Sequence, residues 1–276
     1  MRRRTALFVL SILMCACKPA EESHMKAIIG AVLIDGQGGP PLSDSVVVVA
    51  GDQIREAGLR STVAIPEEAD KVDGSGKFLV PAPLDVYPSV EEAHLNHVTH
   101  LSKVDRPAIS LARDIGHPVI GHVSTEAAVR AFVDAGAAGF VGMITDTEEL
   151  DPALLARLRD LRISFAPALT GGSASLDVAR RNTRRLFSAG VPIALASNGG
   201  DPGREPGLLV EAGIPPLDVI VAATRNSAAA LGILNETGTI QAGKRADLLL
   251  LSASPGEDIA NLRKVVLRMS GGNWVK

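Results

Sequence analysis

Pro81-Ala82-Pro83-Leu84-Asp85-Val86-Tyr87-Pro88-Ser89 separates two kinds of sequence in this 276-residue chain. Upstream, residues 26–80 alternate short apolar runs with turns. Ala27 to Ile34 is one predicted strand, stopped by Asp35-Gly36-Gln37-Gly38-Gly39-Pro40-Pro41. Val46-Val47-Val48-Val49 is a second, and Gly51-Asp52 turns the chain into Gln53-Ile54-Arg55-Glu56-Ala57-Gly58. β-Branched residues bounded by Gly, Asp and Pro are the signature of short antiparallel strands. So few strands are not stable alone and need further strands or a covering layer. The far end of the chain offers them: Leu248-Leu249-Leu250-Leu251, Val265 to Met269 and Trp274-Val275. Residues 26–80 and 233–276 are therefore predicted to form one discontinuous β-sandwich.

Downstream, residues 81–232 change to alternating strands and helices. Pro118 to Val123, Gly139 to Ile144, Ile163 to Ala166 and Val191 to Leu195 read as strands. Helices are predicted over Thr125–Asp134 with Ser124 as N-cap, over Pro152–Leu161 with Asp151 as N-cap, over Leu176–Ala189, and within Pro215–Leu231. Strands alternating with helices of these lengths argue for βα units and parallel pairing, an α/β fold.

Composition narrows the function classes. Hydrophobic residues make up 46% and aromatics only 3%, so the core is built from Val, Leu, Ile and Ala. The formal net charge of −3 leaves no basic footprint for nucleic acid. At the N-terminus, Arg2-Arg3-Arg4 precede an apolar stretch from Ala6 to Ala16 that is too short to span a bilayer. Residues 1–17 read as a secretory signal. Its end, Met14-Cys15-Ala16-Cys17, resembles a bacterial lipobox with Cys17 as the lipidated residue, and an ordinary cleaved signal is the alternative. Residues 18–25 follow as a polar tether. Both cysteines lie in this leader, so the mature chain is expected to hold no internal disulfide. The expected location is the cell envelope, facing the periplasm, with membrane contact only through the anchor.

Several blocks in order give a family resemblance. Pro81 to Ser89 resembles the first barrel strand of the amidohydrolase superfamily, Pro-Gly-Leu-Ile-Asp-x-His-x-His. Gly121-His122-Val123 sits like that family's strand-five histidine. Ala135 to Gly142 lies on the block Ala-Gly-Val-Asp-x-Ile-Glu-His, and Ala194 to Asn198 on the block ending Gly-Thr-Asp. Ala222 to Ala228 and Gly238 to Asp247 are similar to the C-terminal signature. The chain is identified as a member of the imidazolonepropionase-like and prolidase-like branch. The resemblance implies a (β/α) barrel flanked by a split β-sandwich, hydrolysis of C–N bonds other than peptide bonds, and zinc or another divalent metal.

Position by position, the ligands of that metal are replaced. Tyr87 and Ser89 stand where two histidines should project from one strand face. A phenol with a pKa of about 10 is a poor zinc ligand beside neutral imidazole. Gly142 takes the strand-six histidine position, and Asn198 takes that of the strand-eight aspartate, whose proton-accepting role an amide cannot fill. His122 alone remains. No cofactor is expected on this reading. His94, His97 and His100, followed by Lys103, are a candidate replacement cluster: on a helix they spread over about a third of the circumference, and on a strand His97 faces away from the other two. A polar segment whose histidines do not converge is the alternative. Arg180, Arg181, Arg184 and Arg185 read as a solvated stripe or as a contact for lipid head groups. Asp201 is a remote substitute for the lost aspartate, and Thr170 to Ser175 reads as a loop.

The barrel also reads short. A full barrel takes about 250 residues, about 31 per βα unit, so residues 81–232 hold about five or six units. Residues 90–116, or a second chain in a homodimer, are candidates to cover the gap. The preferred reading is a metal-free pseudoenzyme that binds a small molecule or protein, or serves as a scaffold. The alternative is an active hydrolase with a site rearranged around His122 and His94, His97 and His100. A decaying homologue without a role is a third reading.

Overall fold

In a computed structural model of the protein, residues 25–87, 98–171, 175–197, 199–201 and 203–275 are described. The signal, Cys17, most of the tether, Ser89, His94, His97 and Asn198 lie outside the described residues.

Both ends of the chain enter one eight-stranded sheet. The N-terminal part supplies β1 (Met25–Leu33), β2 (Leu42–Ala50), β3 (Gln53–Leu59), β4 (Asp70–Asp73) and β5 (Phe78–Pro81). The C-terminal part supplies β10 (Leu248–Leu251), β11 (Val265–Ser270) and β12 (Asn273–Val275). The order is β12-β11-β10-β5-β1-β2-β3, with β4 beside β1. Where a two-layer sandwich is expected, backbone pairing runs as one continuous curled sheet. β1 explains the curl: β2 lies on one side, while β4 and β5 share the other. Register shifts at Ile29/Ala31 and Ala31/Leu33 bend the strand between them, as bulges do. The sheet curls until Gln53 on β3 bridges Arg245, just before β10, and Ile54 N donates to Lys244 O at 2.7 Å.

β10 joins the two halves of the molecule. It pairs antiparallel with β5, Leu250 opposite Leu79, and with β11 on its other edge. Leu248 and Leu250 point into the sheet's own core with Ile28, Val47 and Met269. Leu249 and Leu251 point the other way, into the core shared with the helices. The period-two alternation of a strand makes one tetraleucine serve both cores.

The middle of the chain forms a parallel sheet in the order β6 (Thr99–Leu101), β7 (Val119–His122), β8 (Gly139–Val141) and β9 (Ser164–Ala166). Phe165 bridges Ile193 in parallel, and Val86 N donates to Leu195 O at 2.9 Å. The segments 193–197 and 84–87 thus continue the arc to six strand-like pieces. No closed ring of backbone pairing forms among the described residues. The inner face carries Val86, Ile120, Val141, Ala166 and Ala196. On the outer face Phe140 and Phe165 share a core with Phe132, Leu158 and Leu186 of the covering helices.

Those helices begin where short polar side chains can take up free N–H groups. α1 (Arg106–Asp114), unassigned from sequence, is capped by Asp105, which accepts from Ala108 N at 3.0 Å. α2 (Glu126–Ala135) is capped by Thr125 rather than Ser124, and Gly136 at φ 90° ends it. α3 (Pro152–Asp160) starts on Asp151 as expected. α4 (Leu176–Ser188) is followed by α5 (Glu205–Glu211) and α6 (Pro216–Val221). α6 runs through a π-helical turn, Ala222–Asn226, into α7 (Ser227–Ala230). No described helix is long and apolar enough to cross a membrane.

Candidate functional site

Tyr87, His100 and His122 meet at one end of the parallel sheet. The register pairs His100 with Ile120 across β6 and β7, so His100 and His122 project to the same face two positions apart. His100 Nδ1 lies 3.1 Å from His122 Nε2. The Tyr87 ring stands edge-on to both, with centroids 5.1 Å from His100 and 4.7 Å from His122. Edge-to-face packing of this kind is the favoured aromatic geometry.

Burial holds both imidazoles neutral. The pKa of His100 is pushed down to about 4, first by desolvation and then by the neighbouring His122. That of His122 is lowered by desolvation. Between two neutral rings one nitrogen donates and the other accepts. His100 Nε2 is buried without a partner among the described residues. A buried N–H left unpaired is more costly than a bare acceptor with spare lone-pair capacity, so His100 Nδ1–H is assigned as the donor to His122 Nε2. The lone pair of His122 that a cation would need is then engaged within the protein.

Among the described residues nothing extends this pair into a ligand set. Lys103 is exposed in the bend after β6. Gly142 sits at φ 133°, and a Cβ there would fall 2.0 Å from Val123 O. Its position is thus closed to any side chain, a reason beyond the missing imidazole. Asp85 faces away, accepting from Tyr87 N at 2.9 Å and from Ser197 N and Oγ at 3.2 and 2.5 Å. Asp201 is exposed, 3.4 Å from Arg263 and capping Gly203 N at 2.8 Å, so it does not replace the lost aspartate. Among the described residues no group of three His, Cys, Asp or Glu could hold a metal ion. A hydrolytic zinc takes about three protein ligands, so the described residues do not fit the metal that the fold implies.

Two further expectations are decided by ion pairs and burial. Three of the four arginines of the α4 stripe are taken up locally: Arg180 pairs with Glu211, Arg181 with Glu148 at 3.0 Å, and Arg185 donates to Asn182 at 3.0 Å, while Arg184 is exposed. The loop predicted after β9 begins with a 3₁₀ turn, Leu169–Gly171, anchored by a residue that sequence reasoning missed. Glu205 is fully buried, and its carboxylate accepts from Leu169 N at 2.7 Å and Thr170 N at 2.8 Å. Burial raises its pKa while those N–H groups pull the other way. A glutamate between Arg204 and Pro206 carries no sequence pattern that announces such a brace.

The curled composite sheet joined to a parallel α/β layer, with a histidine pair at the strand ends, defines the class. A family model described as the amidohydrolase family matches residues 106–275, and the chain belongs to that family. It is similar to imidazolonepropionase of Thermoplasma acidophilum, 27% identical over 214 residues that cover 66% of this chain and 52% of that protein. Against imidazolonepropionase of Geobacillus kaustophilus it is 35% identical over 80 residues, 26% of this chain and 19% of that protein. The chain therefore spans about half, or about a fifth, of these relatives' lengths. Among solved structures, a Xaa-Pro dipeptidase with bound methionine in the active site superposes with a TM-score of 0.76. At 14% identity, over 91% of this chain and 100% of that one, this likeness speaks for the fold alone.

Proposed function

We propose that this amidohydrolase-family chain is a metal-free binding or scaffold protein of the cell envelope, descended from C–N hydrolases and without their activity. The observation that carries the reading is the hydrogen bond between His100 and His122, capped by Tyr87. The two imidazoles that could start a metal site are hydrogen-bonded to each other, and a phenol ring stands edge-on beside them. A barrel shortened by lost βα units belongs to the same reading: at about 31 residues per unit, residues 81–232 hold about five or six units. An anchor at Cys17 would hold the protein at the membrane surface.

The test is metal content together with turnover on the purified mature protein. Less than stoichiometric zinc is expected after growth in zinc-supplemented medium, with no turnover of imidazolone, Xaa-Pro dipeptide or lactone substrates. Stoichiometric zinc with turnover abolished by His122→Ala would establish the rearranged hydrolase instead.

A further inference from the structure

A cleft of about 460 Å³ opens on the outer side of the parallel layer, away from the histidine pair. Its volume falls within the usual range for small-molecule sites, about 300–1,000 Å³. The walls come from the segment before Tyr87, from α5 and from the 3₁₀ turn Ile259–Arg263. Pro83, Leu195, Leu208 and Leu262 make much of the lining apolar.

Four charged side chains also line it, and their commitments differ. Asp85 is bound to Ser197 and to the backbone of Tyr87. Glu211 is paired with Arg180. Among the described residues, Arg263 makes a long contact to Asp201, 3.4 Å between side chains that are both more than half exposed, and donates to Gly203 O at 3.2 Å. Arg204 has no ion pair or side-chain hydrogen bond among the described residues. The acidic groups of the cleft are thus used, Arg204 is available, and Arg263 is held by contacts that are long and exposed. A guanidinium offers a planar fork that matches a carboxylate.

We propose that this cleft is a binding site for a small carboxylate with an aromatic or branched aliphatic body. The carboxylate pairs with Arg204 and Arg263, and the body lies on the apolar lining. The site goes beyond the proposed metal-free binding or scaffold role and does not depend on whether the histidine pair binds metal.

Calorimetric titration with 4-phenylbutyrate tests it on the mature protein. Saturable one-site binding is expected. It should weaken at least tenfold in Arg204→Ala/Arg263→Ala, with the thermal midpoint unchanged because both arginines are exposed. The neutral isostere 4-phenylbutan-1-ol should also bind at least tenfold more weakly. No saturable binding at millimolar ligand would overturn the proposal, as would equal binding of the alcohol. Loss of binding in His122→Ala with the arginine variant unaffected would put the ligand in the barrel and overturn it equally.

Discussion

Gly142 shows how far the inherited centre has been rebuilt at single-residue scale. Its φ of 133° is a conformation that side chains rarely adopt, and its α-carbon abuts the carbonyl of Val123. Restoring the family's histidine therefore restores no ligand. Gly142→His is expected to lose more than about 3 kcal/mol, from backbone strain and a clash with a backbone oxygen that cannot retreat. Chemical denaturation measures this, and a folded variant that takes up zinc stoichiometrically would contradict it. In the sequence Gly142 reads only as an absent imidazole, because φ is not written there. His100 was harder still to place. Its spacing from His94 and His97 leaves helix and strand both open; it lies in β6, and its neighbour His122 is set by parallel register. Tyr87 and His122 were legible because each occupies a position inside an ordered block. Glu205 and Arg204 were not, since burial in one case and an open cleft in the other come from distant segments.

Elements were legible where a cap and an apolar period agree. α3 fits that rule, with Asp151 accepting from Ala153 N at 2.9 Å and Pro152 in the first turn. α2 shows the limit. Ser124 and Thr125 are equally good caps by chemistry, and tertiary pairing decides between them. Ser124 O accepts from Thr145 N at 3.3 Å, tying Ser124 to the segment after β8. Thr125 is left in the extended conformation of a cap, and its hydroxyl accepts from Ala128 N at 3.1 Å. Thr125→Ala should cost about 1 kcal/mol and Ser124→Ala a few tenths at most. Urea denaturation of the two variants side by side checks the assignment; equal effects would refute it. Short elements such as α5, and the π-helical turn at Ala222–Asn226, fall below the length at which periodicity is readable.

At the scale of the whole molecule, the curled sheet and the α/β layer are one folding unit because they share β10. The composite sheet was legible because the few strands readable in residues 26–80 call for partners that the chain's far end supplies. Its curl was not, since it depends on β1 pairing with β4 and β5 in succession. Leu249 and Leu250 are adjacent in sequence but lie in different cores, the first with the helices and the second with the sheet. If the two cores were independent, Leu249→Ala would weaken the α/β layer alone and Leu250→Ala the sheet alone. The hydrogen-bonded ladder from β5 through β10 to β11 makes that separation costly, because losing either core frees the strand that both use. Trp274, the single tryptophan, packs against the sheet core and reports on it by fluorescence, while far-ultraviolet circular dichroism follows the helices. Coincident unfolding curves from the two probes are expected in the native protein. Each leucine variant should shift both curves together, by about 2–5 kcal/mol for a buried leucine replaced by alanine. Two separated transitions, with only one moved by each substitution, would show that the chain's two ends form a domain of their own.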